Sequence, residues 1–183
     1  MLQRATMFKS LKLLQVAAIA LLMAIVLPGQ LSAARIKNDP NGFNEYRWGS
    51  LLSQYSSLKL VKELGSTDFV STAEVYQKPG ETLTLNGVPI TQVRYRFIDE
   101  QLESVQLHYE GRENRDQLLH WLEERFGKVS ASERKMVNAV QWFGEHTTVT
   151  LTYDSSTRRG KLWFMSQALN HRFNEFHQGS QGD

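Results

Sequence analysis

Cysteine is absent from the 183-residue chain, and that absence closes several routes at once. Disulfide staples, thiol catalysis, redox exchange and thiolate metal sites all need a sulfhydryl. Proline is scarce, at four residues. The glycines never form a phosphate-cradling loop ahead of a helix, so no nucleotide fingerprint is present. A surplus of one charge is also missing, with 21 basic residues against 19 acidic ones. The small excess sits at the start, where Arg4, Lys9 and Lys12 are unopposed. Taking those three from the 21 leaves 18 basic residues against 19 acidic ones from residue 35 onward. A nucleic-acid binder concentrates Lys and Arg on its folded domain, because phosphate neutralisation dominates that affinity. No nucleic-acid partner is expected here.

Long apolar runs are missing except for one. Leu13 to Leu27 is interrupted only by Gln15, after a basic stretch ending at Lys12 and before the breaker Pro28-Gly29. Gln30-Leu31-Ser32-Ala33-Ala34 then supplies small residues. Charge, apolar run, breaker and small residues in that order read as a secretory signal peptide over residues 1–34. Cleavage fits after Ala34, and nearly as well after Ala33. Met7 would give a tighter start than Met1. The run has 15 residues, short of the ~20 that span a bilayer; an uncleaved anchor is the competing reading. Without a cysteine after the run, a lipid anchor on a processed N-terminus is excluded. A single domain over residues 35–177 follows, in the periplasm or secreted, with residues 178–183 read as a disordered tail. Removing 34 of 183 residues leaves 149, enough to bury a core without staples.

Periodicity gives the elements. Arg35 to Asn44 reads as an extended lead-in, and Trp48 to Tyr55 as a short helix capped by Ser50. Strands are expected over Lys59 to Leu64 and Phe69 to Gln77. Asn86-Gly87 marks a tight hairpin turn between Leu83-Thr84-Leu85 and Val88. Val93, Tyr95 and Phe97 alternate with Gln92, Arg94 and Arg96, and Val105, Leu107 and Tyr109 with Ser104, Gln106 and His108. Pairing Tyr95 with Val105 and Val93 with Leu107 keeps every apolar side chain on one face, and a one-residue slip would mix the faces. Asn114 to Gln117 resembles a capping box for a helix ending at Phe126-Gly127, with an apolar stripe of Leu118, Leu119, Leu122 and Phe126. A second hairpin pairs Val140 with Leu151 and Trp142 with Val149, leaving Thr148, Thr150 and Thr152 on the other face. A last strand, Lys161 to Ser166, is apolar on both faces. The expected fold is α+β: a curved antiparallel sheet with two helices on its apolar face. The order helix, strands, helix, strands also allows two helix-then-sheet units.

Catalytic and metal patterns are not found. His108, His120, His146, His171 and His177 lack metal-ligand spacing, and no metal or cofactor is expected. No serine lies in a G-x-S-x-G elbow. The surface feature that stands out is the polar face of the central hairpin. Arg94, Arg96, Gln106 and His108 project together and can present a cationic patch to an anion or an acidic partner; a solvated sheet face produces the same pattern. Trp48 and Trp163 are the aromatics able to line a groove.

Pro40-Asn41-Gly42-Phe43, then Trp48-Gly49 and Leu51, and the Leu-rich helix closing on Phe126-Gly127-Lys128 resemble a group of small exported bacterial proteins without assigned function. That resemblance implies a periplasmic or secreted domain and supplies no active-site residues. The leading expectation is a non-catalytic binding or interaction domain of the cell envelope, taking a protein or a small ligand. The alternatives are a hydrolase assembled from Asp99, His108 and Glu110, and a membrane-tethered scaffold that keeps its N-terminal helix.

Overall fold

Two alternating strands joined by a two-residue turn form the centre of the fold, as the pattern of Val93 to Tyr109 requires. The computed structural model describes residues 34–65, 72–130 and 139–170, all within one compact unit. The apolar run Leu13 to Leu27, the strand start at Phe69, His171, His177 and the tail 178–183 lie outside the described residues. Along the chain the strands are β1 (Ala34–Arg35), β2 (Gly42–Phe43), β3 (Tyr46–Arg47), β4 (Lys59–Gly65) and β5 (Ala73–Gln77). Next come β6 (Leu83–Leu85), β7 (Val88–Ile90), β8 (Gln92–Ile98) and β9 (Gln101–Glu110). Helix α1 (Arg112–Phe126) follows, then β10 (Ala139–Phe143), β11 (Thr147–Asp154) and β12 (Arg159–Ser166). The class is α+β, dominated by strand.

One open eight-stranded sheet runs in the order β1-β10-β11-β12-β9-β8-β5-β4. Every neighbouring pair is antiparallel except β1 with β10. Directly paired residues point the same way, so the registers lay side chains out in rows across the strands. Tyr76, Tyr95, Val105, Phe164, Val149 and Trp142 make one row. Val93, Leu107, Leu162, Leu151 and Val140 make the next. All eleven are buried, and each such side chain contributes about 1.5–3 kcal/mol when withdrawn from water. The Tyr95–Val105, Val93–Leu107, Val140–Leu151 and Trp142–Val149 pairs match the alternation read from sequence. Tyr95 donates its hydroxyl to Glu81 Oε1 at 2.7 Å. Burial, and then that bond, push the hydroxyl well above the usual tyrosine value.

Helix α1 buries Leu118, Leu119, Leu122 and Phe126 in the same core as the Tyr95 row. The Phe126 ring meets Phe164 at 6.5 Å between centroids, and Trp142 Nε1 donates to Gly127 O at 2.8 Å. The helix begins earlier than a capping box at Asn114 to Gln117 requires. Its N-cap is Gly111, with φ 89° and no side-chain cap, a conformation that glycine adopts without a Cβ clash. Asn114 Nδ2 turns back to Glu110 O instead. The strand therefore runs directly into the helix.

The expected helix over Trp48 to Tyr55 is reduced to one 3-10 turn, Leu52–Gln54, and Ser50 does not cap it. Its backbone groups are claimed by the start of β9. Gly49 N donates to Leu102 O, Leu102 N to Ser50 O, and Leu52 N to Glu100 O. Leu51 is extended and bridges Gln101, so the segment runs beside the β8–β9 turn instead of coiling. The Asn86-Gly87 turn is as expected: both residues have positive φ and join β6 to β7. Thr148 and Thr150 are buried at 4% and 7% exposure, so that part of the second face is not solvated.

Candidate functional site

The face opposite the Tyr95 row carries three polar rows of its own. Gln92, His108, Lys161, Thr152 and Ala139 form the first. Arg94, Gln106, Trp163, Thr150 and Gln141 form the second. Lys62, Val75, Arg96, Ser104, Met165, Thr148 and Phe143 form the third. Arg94, Arg96, Gln106 and His108 thus share one face, as their alternation requires. Arg94, Arg96 and Gln106 line a groove of about 360 Å3 that also takes in Ser104, Trp163 and residues of β4 and β5. His108 lies beyond it, bordering two further hollows of about 260 and 550 Å3 toward Arg159 and Gly160.

The two arginines differ. Arg96 grips Glu103 through both Nε and Nη2 at 2.6 Å, a bidentate pair with side-chain exposures of 13% and 0%. Its guanidinium lies 5.5 Å from the centroid of the Trp163 ring. The charge of Arg96 is therefore compensated inside the fold. Arg94 Nε, by contrast, is buried without a hydrogen-bond partner, and so are Ser104 Oγ and Trp163 Nε1. An unmet buried polar group costs about 1–3 kcal/mol, yet the three residues that carry these atoms all line one groove.

Glu103 escapes a reading by alternation because it sits in a β-bulge. Arg96 pairs with Ser104 but Phe97 pairs with Leu102, so Glu103 is the extra residue. The sequence does carry a trace of it. Leu102 and Val105 are both buried but three apart, a spacing that strict period two forbids. Trp163 joins the site only through the pairing of β12 with β9, which sets it opposite Gln106.

His108 Nε2 lies 2.8 Å from Gln106 Oε1, the geometry of an Nε2–H donor, which turns the amide NH2 of Gln106 away from His108. Burial first, then the charges of Arg94 and Lys161, lower the His108 pKa from 6.5 to about 4. The ring is neutral at pH 7. Because the unfolded chain takes up this proton first, the contribution of His108 to stability is complete above pH 6.5 and is lost as pH falls toward 4. A shift of that size would correspond to about 3 kcal/mol, and solvent screening of a half-exposed ring reduces it to about 1–2 kcal/mol. Asp154, whose carboxyl is held at about 2 by bonds from Ser156 and Thr157, loses its contribution only below its ordinary value of 3.8 and does not overlap this window. Denaturation of the wild type and of His108→Gln between pH 7 and pH 4 is expected to diverge by that amount, the wild type losing more. Parallel curves would refute it.

Asp99 does not join His108 and Glu110, which border one hollow together. Asp99 accepts a bond from Thr72 N at the β8–β9 turn, and His108 is seven residues up β9 from Gln101, roughly 23 Å away at 3.3 Å per residue. Glu110 faces Arg159 at 3.5 Å. Trp48 Nε1 donates to Thr147 Oγ1 at 2.8 Å and takes no part in the groove. Among the described residues, no group of three or more metal-ligating side chains is placed to hold an ion, and no helix is long and apolar enough to cross a membrane. Comparison of the chain with family models, with curated proteins and with solved structures finds no match in any of the three.

Proposed function

We propose that this chain is an exported, non-catalytic binding domain of the bacterial cell envelope that takes an anionic, hydrogen-bond-accepting ligand on the Arg94 face of its sheet. In this reading the segment ending at Ala34 or Ala33 directs export and is removed, the latter keeping Ala34 in β1, and α1 covers the Tyr95 face so that the opposite face is left for recognition. The resemblance of the opening segment to small exported bacterial proteins supports the compartment.

The observation that carries the reading is the gathering of Arg94 Nε, Ser104 Oγ and Trp163 Nε1, all buried and unpartnered, around one groove. Two are obligate donors and the third can donate. A carboxylate or another acceptor-rich anion is the complement of such a set. Among the described residues, no carboxylate lines the groove to oppose it. Arg94 is the principal contact, with Ser104, Gln106 and Trp163 as further donors. His108 holds the Gln106 amide, and Arg96 supports the Trp163 ring while Glu103 balances its charge.

The test follows the indole N–H signal of Trp163, assigned by its loss in Trp163→Phe, in the 15N-labelled full chain. Acetate, octanoate, inorganic phosphate, citrate and tri-glutamate are titrated in turn at millimolar concentration. At least one is expected to shift that signal saturably, and Arg94→Gln to abolish the shift. If every anion leaves the Trp163 signal unmoved, the reading is wrong.

A further inference from the structure

The groove has two unlike ends. Toward β12, β9 and β8 its floor is Trp163, Ser104 and Arg94, which carry the unpartnered polar atoms. Toward β5 and β4 its wall is made by the aliphatic Val75, Val61 and Leu64, with Lys62 and Gln77 between them. Those two strands lie one and two places beyond β8 in the sheet, so the apolar rim is about 10 Å from the Arg94 strand at 4.7–4.9 Å per spacing.

All of β4 is exposed. Among its charged Lys59, Lys62 and Glu63, which discourage edge association, the apolar Val61 and Leu64 stand 49% and 41% open. The register shift between Leu60 and Lys62 makes Val61 a bulge residue, and it borders the groove. An exposed apolar cluster continuous with a set of unmet donors matches a ligand that is itself two-ended.

Charge and ring geometry narrow it further. Among the described residues, three cations and no carboxylate line the groove, and Arg96 is paired with Glu103. Arg94 on the floor and Lys62 at the rim remain, on strands two places apart in the sheet, so a compact single head meets Arg94 and not both. One approach to the Trp163 ring is already taken by the Arg96 guanidinium, so the wall offers aliphatic contact and not an aromatic stack.

We infer that the ligand is an aliphatic monocarboxylate with a medium-length acyl chain. Its carboxylate meets Arg94 and the Trp163 indole N–H, and its tail crosses β5 to the Val61 and Leu64 rim. This rests on the anion-binding reading of the same groove.

Titration of the full chain with acetate, butanoate, hexanoate and octanoate, read by calorimetry and by the Trp163 indole signal, separates the possibilities. Affinity is expected to rise about threefold to fourfold for each added methylene. Octanol, lacking the charged head, is expected to bind tenfold or more weakly than octanoate. Leu64→Ser and Val61→Ser, both on exposed positions that leave the core intact, flatten the dependence on chain length without changing acetate binding. Arg94→Gln weakens every acid by tenfold or more and leaves the slope unchanged. Affinity independent of chain length, or octanol binding as tightly as octanoate, overturns the acyl assignment. Binding of phosphate or tri-glutamate without octanoate overturns it too, while leaving the anion reading standing. Silence from all of these probes overturns both.

Discussion

Replacing Glu103 with Gln lowers the stability of the protein by about 3–5 kcal/mol, the usual penalty for leaving one member of a buried ion pair uncompensated. Glu103 is fully enclosed and Arg96 nearly so, so neither charge can be solvated when the other is removed. Glutamine keeps the shape of the side chain and can still accept one bond, which isolates the electrostatic loss from a packing loss. The double variant Arg96→Met, Glu103→Leu is expected to recover most of the stability, because apolar replacement of a whole buried pair is often neutral or favourable. Urea denaturation of the four proteins provides the cycle. If Glu103→Gln costs under 1 kcal/mol, the pair is not compensated in the way its geometry requires. The same substitution has an opposite effect at the groove. It takes the bidentate carboxylate away from Arg96 beside Trp163, so affinity for a monoanion should rise while stability falls.

Gly160→Ala is expected to cost about 2–4 kcal/mol, the second large effect. A Cβ at Gly160 would overlap the ring and hydroxyl of Tyr109, the residue paired with it on β9. Tyr109 is wholly buried, donates to Thr152 O at 2.7 Å and stacks on Tyr153 at 6.4 Å and 12°. The ring lies across the bare glycine, which removes the clash a side chain would create. Overpacking costs about 1–3 kcal/mol, and the buried bond that Tyr109 would lose adds about 1 kcal/mol. Gly160 does not need a positive φ, so the loss must come from Tyr109 and not from backbone strain. Tyr109→Ala is costly alone, but adding Gly160→Ala to it should cost little more. Strict additivity of the two changes would contradict this account.

Local pattern carried much of the sheet and little of its assembly. Tyr95, Val105, Val140 and Trp142 announced their face through alternation, and Asn86-Gly87 announced its turn through the positive φ it accepts. The stripe Leu118, Leu119, Leu122 and Phe126 marked α1. By contrast, nothing near Trp163 says that β12 lies against β9, a pairing that closes roughly fifty residues of chain. Leu162 to Met165 is apolar throughout, so only that register decides that Leu162 and Phe164 join the core while Trp163 and Met165 turn to the Arg94 face. The segment from Gly49 to Leu52 has the composition of a helix start, yet β9 takes its backbone groups, and a tertiary partner overrides local propensity. The site divides the same way. Arg94, Arg96, Gln106 and His108 were legible as one face. The bulge that hides Glu103 behind Arg96 was not, and without it the two arginines look equivalent.

The central claim is that Arg94 and Trp163 hold unmet donors for a ligand on the face away from the Tyr95 core. A crystal structure of the full chain grown with octanoate tests it most directly. The expected result is a carboxylate within 3.2 Å of both Arg94 Nε and Trp163 Nε1, an ordinary N–H···O separation, with its tail over Val75. A groove left empty under saturating acid, or octanoate seated elsewhere on the chain, would contradict it.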